Sequence, residues 1–94
     1  MIVAFDCDGT LIDLRGRVLW ETVAMLRTLS KMGNRIIVWS GGGKAYAEHI
    51  VRELKIEPYV AYCLHKNQEN GREHAVDLCF DDEFVEIARI SAKV

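Results

Sequence analysis

The sequence predicts a small three-layer α/β domain built on a parallel sheet, and three observations predict it. Short apolar runs alternate with amphipathic stretches along the whole chain. The apolar runs are continuous, with no polar residue at every second position, as strands covered on both faces require. The chain has 94 residues, the length of one domain, and such a chain buries roughly 60–65% of the surface it exposes when unfolded. A single minimal domain over residues 1–94 is therefore expected, with one core of modest size.

The elements come in order. Met1–Phe5 (MIVAF) is rich in strand formers and reads as the first buried strand. In Arg17–Met32 the apolar residues Leu19, Val23, Leu26 and Leu29 recur by three and four, which places them on one helix face. Gly33 and Asn34 end that helix, because both residue types tolerate the left-handed conformation that closes a helix. Arg35–Trp39 (RIIVW) is the second strand and runs into Ser40 and three glycines. Lys44–Leu54 repeats the helical spacing through Ala47, Ile50, Val51 and Leu54, with Glu48 and Arg52 four apart on the wet side. Pro58 separates this helix from a third strand over Tyr59–Leu64. His65–Glu73 is polar and loop-like, with space for a helical turn. Ala75–Phe80 (AVDLCF) is a fourth strand, and Asp81 and Asp82 lead into a short terminal helix. A fifth strand is expected only if Ile87–Val94 supplies it. Without it the sheet is short, and its bare edge invites pairing with a second copy of the chain.

Composition excludes several classes. Half of the residues are apolar and 28% are charged, as in an ordinary globular protein. The net charge is −2 with both signs interspersed, so there is no basic stripe to track nucleic acid, although a single phosphorylated end stays open as a substrate. No apolar run approaches the ~20 residues that span a bilayer, and MIVAFDCDG lacks the basic region of a secretory signal. Cys7, Cys63 and Cys79 are odd in number, each in an apolar stretch and none in a CxxC pair. They read as buried reduced thiols of a cytoplasmic protein.

Ligands of open parallel sheets bind outside the carboxyl ends of the strands. The four predicted strands end, in turn, on Asp6-x-Asp8-Gly9-Thr10, on Ser40 and Gly41–Gly43, on His65-Lys66, and on Asp81-Asp82. Four strand ends thus carry four carboxylates, hydroxyls, a lysine and a glycine-rich turn to one edge, a concentration that packing alone does not call for. Asp6 and Asp8 lie two apart, so an extended strand end points both carboxylates the same way, with Cys7 opposite.

These residues carry a resemblance. DCDGTLID (Asp6–Asp13) resembles the first motif of the haloacid-dehalogenase superfamily, DxDGT followed by apolar residues. VWSGG resembles its second motif, Lys66 stands where the lysine of the third is expected, and DLCFDD resembles the fourth. The four occur in order and cover nearly the whole chain, in the manner of the small uncapped phosphatases of that superfamily. With only Leu11–Gly16 between the first motif and the first helix, the resemblance implies a Rossmann-like sheet without a cap domain and a site open to bulky substrates.

What the resemblance implies for chemistry is specific. Asp6 is the nucleophile that forms an aspartyl-phosphate, and Asp8 gives a proton to the leaving oxygen and later activates water. Gly9 lets the backbone approach the phosphate, where its N–H groups bind oxygens, Ser40 and Gly41 bind phosphate oxygens as well, and Thr10 braces the loop. A phosphate dianion beside four acids calls for a hard cation, and Mg²⁺ is the implied cofactor. Its implied ligands are the Asp6 carboxylate, the Asp8 carbonyl and one of the acidic pair, Asp82 ahead of Asp81. Lys66 supplies the remaining positive charge, with Lys44 and Arg72 as substitutes. His49 reads as solvated, His65 beside Lys66 as a loop histidine with substrate contact as the alternative, and His74 has no evident partner, while Trp20 and Trp39 read as packing. The function implied is a Mg²⁺-dependent phosphomonoesterase acting on a small-molecule or macromolecular phosphate. The rival readings are a non-catalytic binding or assembly protein on the same scaffold, and a receiver-like phospho-signalling module.

Overall fold

The computed structural model describes residues 1–82 and 90–94. Along the chain run β1 (Ile2–Asp6), α1 (Trp20–Lys31), β2 (Arg35–Ser40), α2 (Lys44–Leu54), a 3-10 turn (Glu57–Tyr59), β3 (Tyr62–His65), α3 (Gln68–Glu73), β4 (Leu78–Asp81) and β5 (Ile90–Lys93). The strands form one sheet in the order β3-β2-β1-β4-β5, and every neighbouring pair is parallel. This is the small Rossmann-like α/β fold that the alternation of runs predicts. The fifth strand exists, over Ile90–Lys93, and its register pairs Asp81 with Lys93. Most of the expected terminal helix falls on residues 83–89, outside the described residues.

The two sheet faces are built from alternate strand residues. Val3, Phe5, Ile36 and Val38 point to the face that receives Val23 and Leu26 of α1 and Ala47, Ile50, Val51 and Leu54 of α2. Ala4, Ile37, Trp39 and Cys79 point to the other, where Val76 joins them. After β3 the chain turns back across the sheet to β4, a direction in which the usual right-handed crossover would carry α3 over that second face. Burying a large apolar side chain such as Phe5, Leu26 or Ile37 is worth roughly 1.5–3 kcal/mol each. Phe5 also stacks on Phe80 across the β1–β4 pair at 4.9 Å between centroids. Among the described residues, no helix is long and apolar enough to cross a membrane.

Several boundaries differ from the sequence reading, each for a local reason. Helix α1 starts at Trp20, not Arg17, because residues 12–18 close a small turn. In it Asp13 Oδ1 accepts from the N–H of Arg15 and of Arg17, both at 2.8 Å, and Ile12 bridges Val18. Strand β3 starts at Tyr62 because Pro58 sits in the 3-10 turn that ends at Tyr59. Strand β4 starts at Leu78 because Ala75 adopts φ 52° after α3 and Val76 N–H donates back to Gly71 O at 3.0 Å. The polar stretch after β3 is a six-residue helix, capped by Asn67, whose side-chain oxygen accepts from Asn70 N–H at 2.7 Å.

Candidate active site

The strand order reverses at β1: the chain moves from β1 to β2 and β3 on one side, then crosses to β4 and β5 on the other. The carboxyl ends of β1 and β4 therefore border the crevice where open α/β sheets bind ligands. Asp6 ends β1, Asp81 ends β4, and Asp82 comes next in the chain. One carboxylate oxygen of each of the three lies within 4.8 Å of the others, with Asp6 and Asp81 buried and Asp82 exposed.

Lys66 reaches this group from the loop after β3. Its Nζ lies 3.1 Å from Asp81 Oδ2, as a hydrogen bond, and 3.4 Å from Asp6 Oδ1. The register of the sheet puts it there, since Ser40 pairs with His65 and Lys66 N–H donates to Ser40 O at 2.9 Å. Asn67, the next residue, then caps α3 by accepting from Asn70 N–H. Lys44 and Arg72, the substitutes considered for this place, are exposed at the start of α2 and on α3.

The electrostatics result from burial. Asp6 is pushed up from its ordinary 3.8 to about 6, first by desolvation and then by the Asp81 charge, with Lys66 and the Cys7 N–H pulling it down. Burial works against the Lys66 charge, but its hydrogen bond to Asp81 and the charges of both acids outweigh this and leave the ammonium above its ordinary value. One cation thus faces two buried carboxylates and a third acid. A divalent cation with oxygen ligands fits such a donor set, because three hard oxygens already converge and their repulsion is only partly offset.

Asp8 stands apart from this group. The chain leaves β1 at Cys7, whose carbonyl accepts the N–H groups of Thr10, Leu11 and Ile12 at 2.9–3.2 Å. That tight loop buries Cys7 and exposes Asp8, so the two aspartates occupy different environments and not the common one that simple strand alternation implies. The Asp8 carboxylate accepts a hydrogen bond from the Tyr46 hydroxyl at 2.6 Å. Tyr46 lies in the first turn of α2, and the helical pattern masks it as one more helix residue. The available signal is its position three residues past the glycine run, where α2 begins at the carboxyl edge of the sheet.

The remaining positions divide. Gly9 has φ +83°, and a Cβ there would sit 2.7 Å from Asp82 Cγ, so the glycine provides room for that carboxylate. Its N–H donates to Ile12 O at 2.7 Å, so the loop itself takes up a donor that the sequence assigns to phosphate. Ser40 is buried at the end of β2, and its Oγ accepts from Gly42 N–H at 2.9 Å, leaving the hydroxyl proton to donate. Gly41 is exposed beside it. Thr10 is fully buried, but its hydroxyl has no partner among the described residues, so it braces the loop by packing and through its backbone N–H. Trp39 is buried as expected, whereas Trp20 is 62% exposed and, with Gly9, Val18, Leu19, Met25 and Val94, lines a groove of about 430 Å³ beside the loop.

A family model of haloacid dehalogenase-like hydrolases matches residues 3–74, which include β1, β2 and Lys66. No curated protein and no solved structure matches the chain.

Proposed function

The chain belongs to the haloacid dehalogenase-like hydrolases, and from that premise we propose that it is a Mg²⁺-dependent phosphomonoesterase in which Asp6 is the nucleophile. The observation that carries this reading is the placement of Asp6 at the switch point of the sheet, buried, with Lys66, Asp81 and Asp82 around it. A carboxyl at about 6 is mostly ionised at neutral pH, yet its burial keeps it poorly solvated and ready to attack.

In the first step an Asp6 oxygen bonds to phosphorus as the ester P–O bond breaks, and Asp8 gives its proton to the departing oxygen. In the second, Asp8 takes a proton from water as the water oxygen bonds to phosphorus, which frees inorganic phosphate and the Asp6 carboxylate. Ser40 donates its hydroxyl proton, and Gly41 its N–H, to phosphate oxygens. Lys66 holds Asp6 in place and offsets the charge that builds on the phosphoryl group. Asp6, the Asp8 carbonyl and Asp82, with Asp81 as support, would hold Mg²⁺, which when bound supplies charge neutralisation at the phosphoryl oxygens. The segments joining β1 to α1 and β3 to β4 add no further domain, which supports an edge open to bulky phosphate esters.

The test is hydrolysis of an aryl phosphate by the purified protein with and without Mg²⁺, beside Asp6→Asn. Turnover that requires both the metal and Asp6 is the expected result. A folded protein that neither binds Mg²⁺ nor turns over the ester would favour the reading as a non-catalytic scaffold.

A further inference from the structure

We infer that Tyr46 is a positioning residue for Asp8, holding one carboxylate oxygen so that the other faces the leaving group. The inference rests on the phosphatase reading above and deepens it. The hydroxyl of Tyr46 donates to Asp8 Oδ1 at 2.6 Å, a short bond of the kind a carboxylate accepts. The contact joins residues 38 apart in the chain, so it links the loop after β1 to the first turn of α2 and is not a local turn.

Two features make the phenol a rigid arm. Its ring packs against the core under the sheet, among the side chains that α2 buries. Its Cδ2 and Cβ lie 3.5 and 3.7 Å from where a side chain on Gly42 would begin, and Ser40 Oγ lies 3.3 Å from the same point. A Cβ at position 42 would stand in ordinary van der Waals contact with the ring and slightly crowd the Ser40 hydroxyl, so the ring lies directly over this glycine. Asp8, by contrast, is exposed on the loop after β1. A side chain held by packing on a helix is the sort of support that orients a reacting group. The hydrogen bond and burial also push the Tyr46 hydroxyl up to about 12, so it stays a donor throughout the neutral range.

The consequence is a division of labour on one carboxyl. Oδ1 is engaged by the Tyr46 hydroxyl, which leaves Oδ2 as the unengaged oxygen in that pair. Oδ2 is then the oxygen that carries the proton to the leaving group, and to which water returns one. Loss of the tyrosine hydroxyl leaves Asp8 chemically intact but able to rotate.

The experiment compares two phosphate esters of similar size with opposite need for a proton donor. Benzyl phosphate releases a strongly basic alkoxide unless it is protonated, whereas nitrophenyl phosphate releases a stable phenolate. With Mg²⁺ present, Tyr46→Phe is expected to lower kcat/KM for benzyl phosphate by about tenfold or more and for nitrophenyl phosphate by less than about threefold. Asp8→Asn should show the same selectivity, larger in size. Phenylalanine keeps the ring in the core, and an unchanged unfolding transition verifies this. An equal fall for both esters, or no fall for either, overturns the positioning role while leaving the phosphatase reading intact. A wild-type protein that hydrolyses neither ester instead refutes the phosphatase reading, and the positioning role with it.

Discussion

Replacing Asp6 by asparagine is predicted to stabilise the metal-free protein at neutral pH. The Asp6 side chain is only 8% exposed, so solvent screens it little. Burial and the Asp81 charge raise it from 3.8 to about 6 in the folded chain. A raised carboxyl favours folding only while protonated. Its contribution is fully present below the unfolded value of 3.8 and is lost as the pH rises through about 6. The gap corresponds to about 3 kcal/mol at pH 7 and about 0.5 kcal/mol at pH 4. The asparagine side chain has nearly the same shape and no charge to desolvate. Urea unfolding of wild type and Asp6→Asn in the presence of a chelator, at pH 7 and pH 4, reads the difference directly. The expected result is a variant more stable by about 3 kcal/mol at pH 7, with most of the gain gone at pH 4. A variant that is equally or less stable at pH 7 would refute the electrostatic picture of the site.

The same geometry has other consequences. Lys66→Met leaves Asp6 and Asp81 without their cation and should cost about 3 kcal/mol at pH 7 without metal, at the low end for a broken buried pair because the lysine is a quarter exposed. The loss should shrink in acid and on adding Mg²⁺, as urea melts would show. Gly9→Ala places a methyl group against Asp82 at φ +83° and should cost roughly 1–3 kcal/mol while weakening Mg²⁺ binding in calorimetry. Gly41→Ala, with open space around it, should be close to neutral in stability, which urea melts would also read.

Much of this fold could be read in the chain because its physics is local. The continuous runs MIVAF and RIIVW lie inside or across β1 and β2, and the three-and-four spacing of Val23, Leu26, Ala47, Ile50 and Leu54 marks the faces that reach the core. The bounds of α2, Lys44–Leu54, are those its spacing predicts, whereas the turns that close the helices were legible only where glycine marks them. Gly33 closes α1 at φ +94°, but Lys55 and Ala75 take the same left-handed position after α2 and α3 at φ 55° and 52°. Neither residue type advertises that role. The start of α1 was hidden because Leu19 offers no capping side chain and the preceding turn is held by Asp13.

In the site, the strand ends account for Asp6, Ser40, Lys66 and Asp81, because a parallel sheet delivers all its carboxyl ends to one edge. Asp8 and Gly9 depart from the sequence reading because the loop folds on itself through the Cys7 and Ile12 carbonyls, a closure that alternation cannot foresee. Tyr46 and the exposed Trp20 escaped because each sits in the first turn of a helix, where periodicity reports only the buried face.

The most direct test of the central assignment is acid quenching of the protein during turnover of a phosphate ester with Mg²⁺, and then mass spectrometry of its peptides. A phosphoryl adduct on Asp6, absent from Asp6→Asn, is the predicted result. Turnover with no adduct, or with the adduct on another residue, would contradict it.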